Sequence, residues 1–168
     1  MKTVNSLPPP EECNCFAVRA AARHVSQCYD RFLAPTGLRT TQYSILARLK
    51  RKGPLTINAL AEDMVMDRTT LGRNILPLQR DGLITIKSAA SDRRAKELRL
   101  TKAGEKRLQE AFEGWLQAQA RFKAAFGEKR AADLRALLRA AAASEFAPRI
   151  EAMHNAGTMS QSENSVHE

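Results

Sequence analysis

The stretch MDRTTLGRN, residues 66–74, combines side chains that can hydrogen-bond to nucleic acid with the spacing of a helix. Its donor side chains are Arg68, Thr69, Thr70 and Arg73. The apolar residues between and after them are Leu71, Ile75 and Leu78. Arginine can make two hydrogen bonds to guanine, and threonine can bond a phosphate or contact a thymine methyl group. Because Asp67 is a typical N-cap residue, we expect a helix that presents its first turns to nucleic acid and anchors itself through its apolar side.

A second basic group, SAASDRRAK at residues 88–96, lies between two segments in which apolar and polar residues alternate. These segments, LITIK and ELRL, have a period of two, which predicts the strands of a β-hairpin. Arg93 and Arg94 then lie on the hairpin tip, from which an arginine can enter a narrow, A·T-rich minor groove. We interpret Asp92 as a structural partner that orients one of these arginines. The alternative interpretation is a solvated charged turn.

Helical spacing and capping residues predict the elements that position these two groups. The predicted fold is mainly α with a small β-hairpin wing, a winged helix-turn-helix flanked by N- and C-terminal dimerisation helices. The predicted helix caps are Thr40 or Thr41, Thr56, Asp67 and Thr101. The predicted segments are a flexible arm (1–12), a dimerisation helix (13–36), a winged helix-turn-helix DNA-binding domain (39–100), dimerisation helices (101–146) and a disordered acidic tail (147–168).

The long helix predicted after Thr101 carries an apolar seam at alternating spacings of four and three residues. The seam consists of Leu108, Phe112, Trp115, Gln119, Phe122 and Phe126. Such a heptad-like pattern is typical of helices that pack along one another. Because little apolar chain remains to cover this seam from inside, we expect a second copy of the chain to cover it in a homodimer.

The charge distribution favours a polyanionic partner. The chain has 27 Lys and Arg against 18 Asp and Glu, a formal net charge of +9. Residues 39–107 alone hold 16 basic and 7 acidic residues, also +9, whereas residues 150–168 carry three glutamates and no lysine or arginine. This pattern favours nucleic acid ahead of a membrane surface, although such charge can also serve solubility alone. No apolar run approaches the roughly 20 residues of a membrane helix, and three cysteines are too few for a disulfide framework, so we expect a cytoplasmic protein.

Two segments, LAEDMVMDRTTLGRNILPLQRDGLI and SDRRAKELRLTKAG, resemble the MarR family of bacterial transcription regulators. The similarity extends over residues 15–143 and covers a recognition helix, a wing with an Asp-x-Arg pattern and the start of a dimer helix. The resemblance implies a winged-helix homodimer that binds a pseudo-palindromic operator, usually as a repressor, and is released by a small ligand or by oxidation. It further implies that residues 68–73 read bases and that Arg94 is the wing arginine in the minor groove.

The residues NCF at positions 14–16 are similar to the organic-hydroperoxide-sensing branch of that family, which implies that Cys15 is a redox sensor. A helix N-terminus favours the thiolate, which is the form that oxidises. By the same resemblance Tyr29 is the partner tyrosine, while two further tyrosine positions of that branch are Arg19 and Thr40 here. Cys13 can resolve an oxidised Cys15 as a disulfide. The alternatives are that Cys15 is a small buried apolar residue and that Cys13 is inert.

An aromatic acid or similar anion is the other class of effector. The resemblance implies a pocket between the dimerisation helices and the DNA-binding lobe. The polar candidates for this pocket are Arg19, Arg23, His24 and Tyr43. Each of them is also an ordinary surface or structural residue. A metal on His24 and Cys28 is disfavoured by the spacing of the cysteines, so we expect neither a metal nor a cofactor.

Two other functions compete with a regulator. A thiol-based, peroxide-reacting enzyme would use Cys15, but the sequence shows no nucleophile–base pairing and no glycine-rich phosphate loop, so we do not expect an enzyme. An architectural protein would coat DNA without sequence preference. The ratio of specific to non-specific affinity separates such a protein from a regulator.

Overall fold

The structure is a computed structural model, which describes Pro9 and residues 12–88 and 96–144. In chain order the helices are α1 Asn14–Leu33, α2 Thr40–Lys52, α3 Ile57–Asp63, α4 Arg68–Arg80, α5 Lys102–Phe126 and α6 Glu128–Ala143. The strands are β1 Leu55–Thr56, β2 Ile84–Ser88 and β3 Lys96–Leu100, and a 3-10 turn follows α1 at Ala34–Thr36. The predicted fold class, mainly α with a hairpin wing, is confirmed. The predicted arm, apart from Pro9 and Glu12, and the predicted acidic tail lie outside the described residues.

The chain divides into two compact units, residues 1–126 and 127–168, and α6 is the described helix of the second unit. One hydrophobic core organises the first unit. Its largest fully buried side chains are Leu33, Ile45, Leu46, Leu60, Leu71, Leu78, Ile84 and Leu98. Leu71, Ile75 and Leu78 belong to this core, so the predicted anchoring side of α4 is confirmed. No helix in the described ranges is long and apolar enough to cross a membrane.

The wing is part of a three-stranded antiparallel sheet with the strand order β1-β3-β2. The hairpin strands pair from Ile84 opposite Leu100 to Ser88 opposite Lys96. The third strand, β1, pairs Leu55 with Leu98 and was not predicted, because two residues are too few to show a period. It fixes the hairpin to the chain just before α3.

The predicted caps at Thr56, Asp67 and Thr101 are confirmed. Each side chain accepts a hydrogen bond from the backbone N–H three residues later, at 3.1, 2.8 and 3.0 Å respectively. The predicted cap of α2 is wrong, since α2 already includes Thr40 and its N-cap position is Arg39. The Thr40 N–H and hydroxyl both donate to Asp30 Oδ1 of α1, each at 2.7 Å. A carboxylate ten residues away therefore caps α2, and local sequence spacing does not reveal it.

The turn between α3 and α4 holds a valine in the left-handed region. Val65 has φ 51°, and its neighbours make the two hydrogen bonds of a Schellman motif, Val65 N–H to Glu62 O and Met66 N–H to Ala61 O. The same motif ends α4, where Gly82 occupies the corresponding position with φ 70°. A branched side chain is disfavoured at such a φ, and glycine is the usual residue there.

Replacing Val65 by glycine is therefore expected to raise the free energy of unfolding by about 1 kcal/mol. Relief of the left-handed strain is about 1–2 kcal/mol, and the greater freedom of glycine in the unfolded chain offsets part of it. Urea denaturation monitored by circular dichroism measures the change. The matched control is Gly82→Val, whose Cβ would have open space; it should destabilise the protein through φ alone. A loss of stability in Val65→Gly would contradict the strain interpretation.

The long helix α5 carries a side of small residues. Its buried residues are Gly104, Ala111 and Ala118, seven residues apart. At Gly114, on the same helix, an added Cβ would lie only 2.5 Å from the carbonyl oxygen of Phe32 in α1. Helices α1 and α5 therefore approach closely at Gly114, on a small-residue side of α5 that the predicted apolar seam did not include.

The predicted seam of α5 has a mixed environment. Leu108 and Trp115 pack against the core, and the Trp115 ring stacks on Tyr43 at 6.1 Å and on Phe112 at 5.8 Å. Phe112 and Phe126 remain more than a third exposed. The seam is thus partly used within the chain and partly left as apolar surface.

Candidate nucleic-acid interface

The four donor residues predicted on α4 share one exposed surface. Arg68, Thr69, Thr70 and Arg73 are all exposed, while the opposite side of α4 is buried in the core. The helix begins at Arg68, so these donors occupy its first two turns. In a helix-turn-helix the N-terminal residues of the second helix contact base edges in the major groove. The structure therefore presents the predicted residues at the end of the helix that such a role requires.

Asp67 acts as the cap of α4. Its Oδ1 accepts the Thr70 N–H at 2.8 Å. Hydrogen bonds from the Thr70 side chain and backbone hold the pKa of the Asp67 carboxyl below its ordinary value. The carboxylate is thus ionised at neutral pH and engaged with the backbone, and the donors that follow it remain on the surface.

A carboxylate clamp that the sequence did not reveal holds α2 against α3. Asp63, the last residue of α3, accepts the Arg48 Nε at 2.8 Å and forms a short ion pair with Lys52 Nζ. These bonds, the one from Lys52 first, lower the pKa of the Asp63 carboxyl. The clamp also occupies two cations next to the helix-turn-helix. The partners are 15 and 11 residues from Asp63, so no helical spacing connects them.

The structure describes the two paired strands of the wing, β2 and β3. Lys87 of β2 and Lys96 of β3 are exposed and lie in the last two residue pairs of the hairpin. The tip residues Asp92, Arg93 and Arg94 lie in the range 89–95, outside the described residues. Their roles stay predictions.

The candidate sensor residues all lie on or just before α1. Cys13 occupies the N-cap position, Cys15 lies in the first turn, and both are exposed. Tyr29 is buried near the other end of the helix. Fourteen residues of helix span about 21 Å, so one chain does not bring Tyr29 to Cys15. Arg19, one turn after Cys15, is exposed.

The structure does not gather the four candidate pocket residues around one cavity. Arg19 and Arg23 are exposed on α1, whereas Tyr43 is buried against Trp115, and burial raises the pKa of its hydroxyl. His24 lines a cleft of about 370 Å³ between α1 and α5. That cleft also contains Cys28, Arg31, Arg121, Phe122 and Phe126. Cys28 is half-buried, and the sequence did not single out Arg31 and Arg121, which come together only when the helices pack.

These observations define the class of protein. A helix-turn-helix formed by α3 and α4, followed by a β-hairpin and flanked by long helices, is a winged helix-turn-helix protein. The MarR family model matches residues 38–96, which contain this motif. The transcriptional regulator MosR of Mycobacterium tuberculosis has a solved structure that is 37% identical, with a TM-score of 0.69, over 81% of this chain and 100% of that one. The chain belongs to the MarR family.

Two further comparisons agree with this assignment. A structure of MosR in complex with DNA is 39% identical, with a TM-score of 0.67, and covers 77% of this chain and 96% of that one. The organic hydroperoxide resistance transcriptional regulator of Bacillus subtilis is 29% identical over 90 residues, or 54% of this chain. That match spans 61% of the Bacillus protein, less than two thirds of its length. All of these relatives are transcriptional regulators by name, in agreement with the expectation that the chain is not an enzyme.

Proposed function

We propose that the protein is a homodimeric, sequence-specific regulator of transcription that binds double-stranded DNA and acts as a repressor. The observation that carries this proposal is the surface of α4, where exposed donors occupy the first two turns and the opposite side is buried. The relationship to MosR, which was solved in complex with DNA, supports the same conclusion. Such a regulator works in the cytoplasm, where bacterial DNA is located.

On DNA, α4 lies in the major groove with its N-terminus foremost. Arg68 and Arg73 supply guanidinium groups for guanine or phosphate, and Thr69 and Thr70 supply hydroxyl and methyl groups. Arg94 of the wing tip enters the adjacent minor groove, with Asp92 as its orienting partner and Arg93 beside it. The cap at Asp67 keeps the first turn of α4 regular while the donors reach the DNA.

The homodimer is supported by the apolar surface that α1 and α5 leave exposed. Phe16 and Val18 on α1 are about half exposed, and Phe112, Leu116 and Phe126 on α5 are each 38–40% exposed. A second copy that covers these side chains gives a twofold assembly with two copies of α4. Two such helices read half-sites about 34–36 Å apart, which is one helical turn of DNA. A pseudo-palindromic operator follows from this symmetry.

Oxidation of Cys15 by an organic hydroperoxide is the proposed release signal. The thiolate attacks the terminal oxygen of the hydroperoxide, the O–O bond breaks, and the alkoxide that leaves takes a proton from water. The resulting sulfenic acid condenses with the Cys13 thiol, which forms a disulfide and releases water. The exposure of both thiols at the start of α1 supports this step. Because Tyr29 lies about 21 Å from Cys15 along α1, a tyrosine partner would come from the second copy.

An aromatic or anionic ligand is the second candidate effector. The cleft between α1 and α5 supports it, since His24, Arg31 and Arg121 line that cleft alongside Phe122 and Phe126, and none of the described residues that line it is acidic. Guanidinium groups beside aromatic walls suit a carboxylate on an apolar body. Of the residues predicted for the pocket, His24 is the one in this cleft, and Arg19, Arg23 and Tyr43 would have to act elsewhere.

Fluorescence anisotropy with the DNA that flanks the protein's own gene tests the function and the signal together. We expect selective binding over an unrelated competitor duplex, and release by cumene hydroperoxide for wild type and for the control Cys28→Ser but not for Cys15→Ser. Wild-type binding that ignores the peroxide would refute the redox signal and favour the ligand cleft. Binding without selectivity would leave only an architectural protein, and no binding would contradict a DNA-binding function.

Arginine substitutions test the two predicted groove contacts. Arg73→Ala and Arg94→Ala are each expected to weaken operator binding by about 1–3 kcal/mol, the usual loss for a groove contact. Titrations at one fixed salt concentration measure the change, with Arg139→Ala, an exposed arginine on α6, as the control. Unchanged operator affinity in Arg94→Ala would refute the wing assignment, and in Arg73→Ala it would refute the role of α4.

A further inference from the structure

We infer that Leu76 is a further specificity-determining residue of the DNA-binding surface, and that it reads the 5-methyl group of thymine. The inference rests on the proposed function, because α4 must lie in the major groove for Leu76 to reach a base. It concerns a residue outside the donor set, in the middle of the same exposed helix surface.

The position of Leu76 on α4 follows from the buried side of the helix. The buried residues Leu71, Ile75 and Leu78 lie in the core. Successive residues of a helix are rotated by about 100° around its axis, so a second set of residues lies on the side of α4 opposite the buried one. This second set consists of Thr69, Arg73, Leu76 and Arg80. The Leu76 side chain is 64% exposed and takes no part in the core cluster.

Isolated exposed leucines are common on protein surfaces, so exposure alone assigns no role. The neighbours of Leu76 distinguish it. Arg73 forms no ion pair with any described residue, while Arg80 pairs with Asp81 at 3.0 Å. Gly72, one turn earlier, has no side chain, and a Cβ there would meet nothing within 4 Å. No side chain therefore projects from the helix at position 72, beside Leu76. This leaves room for the DNA groove to approach Leu76 between Arg73 and Arg80.

The apolar group that the major groove offers is the thymine C5-methyl, which cytosine lacks. Contact with it separates T·A from C·G pairs at one position. Leu76 follows Thr69 by seven residues, about 10.5 Å along the helix axis. Leu76 thus contacts a different base from Thr69, in the same half-site.

Removal of the thymine methyl groups tests the inference on whatever sequence the protein selects. A duplex that wild type selects from a random-sequence pool is amplified once with dTTP and once with dUTP, which keeps sequence and charge but removes every 5-methyl group. Dissociation constants are then measured for both duplexes. Wild type should bind the deoxyuridine duplex more weakly, by about fourfold for each thymine methyl group that the protein buries. Leu76→Ala should lose this discrimination at least in part. The ratio of its affinity for the thymidine duplex to its affinity for the deoxyuridine duplex should be about fourfold smaller than that of wild type for each half-site.

Gln79→Ala is the matched control, since Gln79 is an exposed neighbour on the same helix and should keep the wild-type ratio. A Leu76→Ala ratio equal to that of wild type overturns the inference, and so does a wild-type ratio of one. Failure of the proposed function has a different signature, because wild type would then select no sequence from the pool. Unfolding curves for both variants exclude a change in fold as the cause.

Discussion

Gly104→Ala is expected to lower the free energy of unfolding by about 3 kcal/mol or more, at the upper end of what overpacking does. An added Cβ would lie 2.1 Å from the carbonyl oxygen of Leu83 and 2.7 Å from Leu100 Cδ1. The Leu83 carbonyl cannot simply move away, because it accepts the Thr101 N–H and hydroxyl, both at 3.1 Å. The methyl group would therefore separate Leu83, which lies between α4 and β2, from the start of α5, or break the cap of α5.

Gly72→Ala is the matched control for this substitution. Gly72 is also a helix glycine, but a Cβ there has open space, so alanine should stabilise the fold by about 1 kcal/mol through helix propensity. Urea denaturation of both variants measures the contrast. A Gly104→Ala protein as stable as wild type would show that α5 is free to shift on Leu83. Gly114→Ala, with its Cβ 2.5 Å from the Phe32 carbonyl oxygen, should behave like Gly104→Ala.

Local patterns predicted the elements of the fold whose cause is local. The caps at Thr56, Asp67 and Thr101 act within three residues of their partners, and the anchoring side of α4 follows the helix period. The two-residue strand β1 is too short to show a period, and it is a strand because it pairs with β3. The small-residue side of α5 was missed because the heptad-like pattern consists of large apolar residues. The seven-residue spacing of Gly104, Ala111 and Ala118 is a signal that finds it.

The residues of the candidate site differ in the same way in how far the sequence predicts them. The donors of α4 were predictable because one helix presents them, and Cys13 and Cys15 because they begin another. The Asp63 clamp and the meeting of Arg31 with Arg121 depend on helix packing and leave no trace in sequence spacing. Leu76 was visible in the sequence as a leucine outside the anchoring set of α4, and the structure shows that it is exposed. Residues that one helix orders can be predicted, whereas those that two helices bring together need the structure.

Asp30→Ala is the second large effect that we expect, a loss of about 2–4 kcal/mol at neutral pH, since hydrogen bonds to a charged group contribute about 1.5–3 kcal/mol each. Asp30 joins α1, which carries the candidate sensor, to α2 of the DNA-binding block. It accepts the N–H and hydroxyl of Thr40, and pairs with Arg39 Nη1 at 3.3 Å. The Arg39 pair adds little because the Arg39 side chain is 76% exposed. The removal of Asp30 leaves the Thr40 N–H without its acceptor, while Gln42 Oε1 still accepts the Arg39 N–H at 2.9 Å.

The pH dependence of this loss identifies its origin. Burial raises the pKa of the Asp30 carboxyl, but the bonds from Thr40 and then Arg39 outweigh burial and bring it below its ordinary value of 3.8. A depressed carboxyl pKa gives stability that is complete above the ordinary value and disappears as the pH falls through the lower, folded-state value. The difference between wild type and Asp30→Ala should therefore be constant from pH 7 to 5 and shrink below about pH 4. Denaturant titrations across this range measure the difference. The control is Asp133→Ala, because that aspartate forms an exposed pair with Lys129 at 2.8 Å and should change stability by less than about 0.5 kcal/mol. A difference that persists unchanged at pH 3 would mean that Asp30 stabilises the junction through packing and not through its charge.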